Sequence, residues 1–184
     1  MIVLGVDPGF AALGLAAVEI GAGAPQPRAA WVERTEPSPR KRAVRASEDN
    51  VRRAQELANA LERAIAEWQP VALAAETMSW PRNAGAVAKV ALAWGAVCAC
   101  ASRHALPVVQ ASPQDVKRAL VGRKSASKEE VIAEVERRFP ELELPEARTL
   151  QEHAADATAV VLACLDSPVL GMARQLASRV QAAT

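Results

Sequence analysis

Six residues near the start, IVLGVD at 2–7, restrict the fold more than any other stretch. They form an apolar run of the length of a buried strand, yet the run ends on a carboxylate, Asp7. Pro8-Gly9 turns the chain at once, and LGLAAVEI at 13–20 resumes as a second strand. The short loop makes the pair an antiparallel hairpin. RAAWVER at 28–34 supplies a third strand and completes a meander. Asp-Pro-Gly is also ordinary turn chemistry, so Asp7 alone assigns no function.

Beyond the meander the pattern alternates. TEPSPRKRAVRASEDN is polar, proline-bearing and basic, and reads as a loop. A helix is expected from about Ser47 to Gln69-Pro70, with Val51, Ala54, Leu57, Ala58, Leu61 and Ile65 at helical spacing. VALAAE at 71–76 is a strand that again ends in a carboxylate, Glu76. After the loop TMSWPRN, a long apolar helix is expected over 84–103, then a strand at 107–110. Ser112-Pro113 opens a helix with proline in its first turn, and Ser127 with Glu130 has capping-box spacing for the next. PELELPEARTLQ reads as a loop, and HAADATAVVLACL as an apolar helix with His153 and Asp156 in its first turn. This order describes a single domain over 1–184, of mixed α/β type around one sheet, with a basic loop at 34–50 and a tail at about 168–184. No G-x-G-x-x-G follows the first strand, which excludes a dinucleotide fold.

Composition narrows the setting. No uninterrupted run of about 18 apolar residues argues for a membrane span, and the start lacks a signal peptide's basic region. Cys98, Cys100 and Cys164 lack metal or redox spacing and read as three buried thiols in a reducing cytoplasm. The net charge is only +1, but basic residues are clustered. Arg34, Arg40, Lys41, Arg42, Arg45, Arg52 and Arg53 form one group; Lys117, Arg118, Arg123, Lys124 and Lys128 form another. Such clusters neutralise phosphates, or simply solvate a loop and a helix face.

Three carboxylates, Asp7, Glu76 and Asp156, stand at the edges of apolar elements. Unpaired, they would repel one another and take up protons; divalent cations reverse that cost, and Mg²⁺ favours oxygen ligands. Two ions roughly 4 Å apart can activate water and stabilise the leaving oxygen in phosphodiester hydrolysis. For Asp156 alone, a helix-dipole role is the plainer reading.

Four motifs in this order, MIVLGVDPG, AAETM, SPQDVKRALVG followed by SASKEEV, and HAADATAV, span nearly the whole chain. In these the chain resembles the RuvC Holliday-junction resolvases of the ribonuclease H-like superfamily. The resemblance implies a ribonuclease H-like fold: a central five-stranded mixed sheet, its first three strands antiparallel, flanked by helices. It puts Asp7, Glu76 and Asp156 in the places of three of four acidic catalytic residues. The fourth place falls to His153, one helical turn before Asp156 and on the same face. The family usually carries aspartate there. An imidazole binds metal when neutral and donates a proton when charged, and the exchange shifts the expected metal preference towards Mn²⁺.

The resemblance further implies Mg²⁺ or Mn²⁺, two per site, held by Asp7, Glu76, His153 and Asp156. Lys128 joins these as a catalytic residue, and Lys117 and Lys128 contact phosphates. Arg82, Arg118, Lys124 and the loop residues Arg40, Lys41 and Arg42 are further candidates for DNA contact. Where the family often has an aromatic that stacks on a base, this chain has Ser79 and, next to it, Trp80. Trp80 either stacks, which contributes about 1–3 kcal/mol per base, or packs under the loop against Pro81. Residues 10–13, FAAL, are apolar where family members usually carry polar residues.

The implied partners are a four-way DNA junction, a second copy of the chain through the 84–103 helix (Val87, Val90, Ala91 and Trp94) and a branch-migration motor. The implied location is cytoplasmic and nucleoid-associated. Rival readings are a protein that grips branched DNA without cutting it, and a ribonuclease H-like nuclease acting on other branched DNA or RNA. An actin-like phosphotransferase also carries an Asp-x-Gly hairpin, but 184 residues leave no room for its two halves.

Overall fold

In the computed structural model, backbone is described for residues 1–182 apart from 22, 40–43, 79 and 81, and side chains to residue 175. The expectations for Arg40, Lys41, Arg42 and Ser79 lie outside the described residues.

Strand β1 (Ile2–Asp7) pairs antiparallel with β2 (Ala12–Glu19), which pairs antiparallel with β3 (Gln26–Arg34). On its other side β1 runs parallel to β4 (Ala72–Glu76), and β4 parallel to β5 (Val108–Ala111). The sheet order is β3-β2-β1-β4-β5, the five-stranded mixed sheet expected, with every strand end within two residues of its sequence position.

Side-chain alternation splits the core. Leu4, Val6, Leu73 and Ala75 face helices α1 (Ala46–Trp68) and α2 (Ala84–Arg103), packing with Leu57, Leu61, Trp94 and Val97. Val3, Ala72 and Ala74 face the other layer, made of α3 (Pro113–Val121), α4 (Lys128–Arg138) and α5 (Arg148–Cys164). With a period of two, Asp7 and Glu76 fall on this second face, two residues beyond Gly5 and Ala74.

Local signals explain most helix ends. Ser112 and Ser127 accept hydrogen bonds from Asp115 N and Glu130 N, and Asn83 caps α2 through Gly85 N and Ala86 N. α1 stops at Gln69, which adopts the left-handed conformation (φ 45°) ahead of Pro70.

Four expectations need correction, and the composition of α2 qualifies a fifth. Helix α5 begins at Arg148, not His153, so His153 and Asp156 lie in its second and third turns, away from its N-terminal dipole. The expected tail at 168–184 is largely helix α6 (Pro168–Ala182), opened by Ser167, whose Oγ accepts from Leu170 N at 3.3 Å. Cys98 is exposed; only Cys100 and Cys164 are buried. α2, interrupted only by Lys89, is long and apolar enough to cross a membrane by composition, with a mean hydropathy of 1.7. Finally, Trp94 packs in the core rather than on an outer face of α2.

Candidate active site

The site forms where the C-terminal ends of β1 and β4 meet α5. Val6 pairs with Ala75 in parallel register, so Asp7 and Glu76 are successive positions on neighbouring strand ends. Both aim at α5, which must therefore come close. Two strand glycines allow this. A Cβ on Gly5 would stand 1.9 Å from the carbonyl oxygen of Ala157, and one on Gly14 would stand 2.1 Å from that of His153. Gly14 is also the cross-strand partner of Asp7. The backbone of α5 thus rests on the sheet beside Asp7, and His153 Nδ1 lies 2.6 Å from Asp7 Oδ2.

Asp156 follows one turn on, on the same face. Burial pushes its carboxyl up to about 6, with repulsion from Asp7 adding to the shift. Glu76 is pushed up to about 7, by burial first and then by Asp156 and Asp7; Lys117 and Lys128 act in the opposite direction. These effects put Glu76 within electrostatic reach of Asp7, Asp156, Lys117 and Lys128, and Asp156 within reach of Asp7, His153 and Lys128. His153 is raised by its hydrogen bond to Asp7, against the effect of burial. Lys128, at the first turn of α4, donates to Glu152 Oε2 at 2.6 Å and is raised by that bond.

Three carboxylates and an imidazole form a hard, oxygen-rich donor set suited to Mg²⁺ or Mn²⁺. The resistance of Glu76 and Asp156 to ionisation is the cost that a bound cation would remove. The oxygens are not drawn into a closed cage: among the described residues, no three His, Cys, Asp or Glu form an ion-ready group. Asp7 and His153 are bonded to each other instead.

Other candidates are more scattered. Lys117 is partly buried on α3; Arg118 and Lys124 are exposed, Arg118 lying 4.0 Å from Asp115. Arg82 is exposed just before α2. Trp80 is 73% exposed.

Sequence reasoning missed three contributors. Gly5 and Gly14 were visible as strand glycines, a known sign of close backbone approach. Arg53, read as part of a solvated basic cluster, is only 5% exposed, and it binds the end of β3 through Thr35. Its spacing was the available signal: it lies four residues before Leu57 and eight before Leu61, in phase with the buried face of α1, whereas the exposed Arg52 is not.

A mixed sheet in this order, with carboxylates at adjacent strand ends facing His153 and Asp156 of α5, has the architecture of the ribonuclease H-like class. A family model described as crossover junction endodeoxyribonuclease RuvC matches residues 3–164. A RuvC of Thermus thermophilus is 34% identical over 177 residues, covering 96% of this chain and all of the relative. One of Chlorobium chlorochromatii is 36% identical over 137 residues, covering 74% of this chain and 67% of the relative. Among solved structures, T. thermophilus RuvC in complex with Holliday junction substrate superposes with a TM-score of 0.74 at 30% identity, covering 93% and 96% of the two chains. The yeast mitochondrial Holliday junction resolvase Ydc2 shares the fold, with a TM-score of 0.62 at 13% identity. The chain belongs to the RuvC family of crossover junction endodeoxyribonucleases.

Proposed function

We propose that this chain resolves four-way DNA junctions by paired, metal-dependent hydrolysis, with Asp7, Glu76, Asp156 and His153 as its reactive centre. The observation that carries the reading is the convergence of Asp7, Glu76 and Asp156 on one rim of the sheet, where burial and repulsion raise the Glu76 and Asp156 carboxyls. RuvC nucleases are metal-dependent; the ion supported here is Mg²⁺ or Mn²⁺, two per site.

Asp7, Glu76 and Asp156 would hold the ions, which supply Lewis acidity and an activated water when bound. Strand ends are rigid mounts, so β1 and β4 keep two of the three carboxylates in place against the scissile phosphate. Lys117 and Lys128 offset charge that builds on the phosphate's oxygens. His153, kept protonated by Asp7, hands a proton to the leaving oxygen or, once neutral, ligates an ion. Arg82, Arg118 and Lys124 engage phosphates further along the arms, and the exposed Trp80 stacks on an unpaired base.

Paired cuts need two sites. The outward face of α2 carries small exposed residues, including Ala88, Ala91, Gly95 and Ala99, while its Trp94 face packs against α1. That outer face supports a homodimer. A branch-migration motor and a cytoplasmic, nucleoid-associated setting follow from the same reading.

Comparing cleavage of a synthetic four-way junction with that of a fork, a flap, a linear duplex and an RNA–DNA hybrid tests it. Preferential cutting of the junction is expected. Equal cutting of forks or hybrids supports another ribonuclease H-like activity, and tight junction binding without cleavage in any divalent metal supports a binding protein.

A further inference from the structure

A second charged feature adjoins the reactive centre. Between the loop after β1, the end of β3, α1, α2 and the start of α5 lies an open cleft of about 450 Å³. Its walls include Arg34, Arg53, Lys89, Thr149 and Leu150, and it ends at His153.

Arg53 is the unusual member. The residue is only 5% exposed, and among the described residues it makes no direct ion pair, although the Asp49 carboxylate is within electrostatic reach. Nε donates to Thr35 Oγ1 at 2.9 Å, Nη2 donates to Thr35 O at 3.2 Å, and the group lies 4.4 Å from the Phe10 ring centre. A guanidinium has five N–H donors, and among the described residues only these two bonds are made. The counter-charge within reach, Asp49, is bonded to Arg52 and Ser38 N rather than to Arg53, so the unused donors of the guanidinium are left for an anion in the cleft.

The neighbouring acids are already engaged. Asp49 binds Arg52 at 2.7 Å and Ser38 N at 3.1 Å, and Glu36 binds Arg34 at 2.6 Å. Lys89, exposed, lines this cleft and the adjoining one that Arg53 also lines. Among the described residues it makes no ion pair. It is also the one charge within the apolar run of α2. Ala11 and Ala12 line the cleft with short side chains, and it is open among the described residues.

We propose that this cleft seats a backbone phosphate of the bound DNA strand, adjacent to the phosphate being cut. Arg53 and Lys89 hold it, and Arg34 stands at the rim. Arg53 is a built-in, rigid donor, since Thr35 and Phe10 fix its plane; Lys89 adds a mobile point charge. The seat would set the register of the strand along the rim of Asp7 and His153. This inference rests on the junction reading of the site.

The test is binding of a fluorescent synthetic four-way junction by the full chain, with EDTA present to prevent cutting, over a series of salt concentrations. Arg53 also holds the fold at Thr35, so the exposed Lys89→Ala variant carries the test, with Arg34→Gln beside it. Lys89→Ala is expected to weaken binding about 3- to 10-fold and make the plot of log affinity against log salt shallower by about 0.9, as for one lost phosphate contact. A scan of single neutral methylphosphonates along the strand should then find one position that weakens the parent protein and leaves Lys89→Ala unaffected. An unchanged slope with intact junction binding overturns the phosphate seat alone. A parent that binds no branched DNA overturns the junction reading and the seat with it. If millimolar inorganic phosphate shifts the Lys89 resonances while the DNA slope is unchanged, the cleft belongs to a free anion and the proposal fails.

Discussion

His153 Nδ1 and Asp7 Oδ2 lie 2.6 Å apart, although 146 residues separate them in sequence. The bond ties helix α5 to the end of β1. It favours the charged imidazole, so the folded His153 titrates above the ordinary 6.5. The stability it contributes is fully present below 6.5 and is lost as the pH rises through the folded value. Titration of the His153 ring by NMR should show that upward shift in the parent and its loss in Asp7→Asn. The same titration in both proteins would contradict the assignment.

Glu76 and Asp156 behave in the opposite sense from paired carboxylates. Their folded values, about 7 and about 6, exceed the ordinary 4.5 and 3.8. Their contribution to stability is therefore present below those ordinary values and lost as the pH rises through about 6 and 7. Glu76→Gln should stabilise the metal-free protein at pH 8 by about 1–2 kcal/mol, after allowance for solvent screening, and by little near pH 4. Urea denaturation at the two values checks this. Millimolar Mg²⁺ or Mn²⁺ should raise the melting temperature of the parent at pH 8 more than that of the variant.

Gly14 allows the approach that builds the site. A methyl group there meets the His153 carbonyl at 2.1 Å, so Gly14→Ala must push α5 away from the sheet. A loss of about 1–3 kcal/mol is expected, as for overpacked cores, together with weaker cleavage. Gly21→Ala, where a Cβ would meet nothing within 4 Å, is the matched control and should be close to neutral.

How far the site could be read in advance depends on how local its signals are. Asp7 and Glu76 were legible because each ends an apolar strand run, a pattern carried within six residues. The start of α5 was not, because Ala147 offers no side-chain cap and the preceding segment is rich in proline and acids. Helix α6 had a signal, Ser167-Pro168, the same pair that opens α3 at Ser112-Pro113. Arg53 and Gly14 each carried a local sign, helical phase for one and a strand glycine for the other, but neither sign names the partner. Their roles depend on elements that meet only in three dimensions: Thr35 and Phe10 for one, α5 for the other.

Lys128 separates stability from chemistry. Its bond to Glu152 is largely exposed, with 62% of the lysine side chain accessible, and such pairs contribute little. Lys128→Met should leave the denaturation midpoint nearly unchanged and slow single-turnover junction cleavage by about 100-fold. A variant with the parent's cleavage rate would remove Lys128 from the reactive centre.

The most direct measurement is cleavage of a synthetic four-way junction by the parent protein and by Asp7→Asn, side by side, in Mg²⁺ and in Mn²⁺. The parent should place two nicks in strands of like polarity. Asp7→Asn should still bind the junction but cut it at least 100-fold more slowly. Undiminished cutting by Asp7→Asn would contradict the account at its centre.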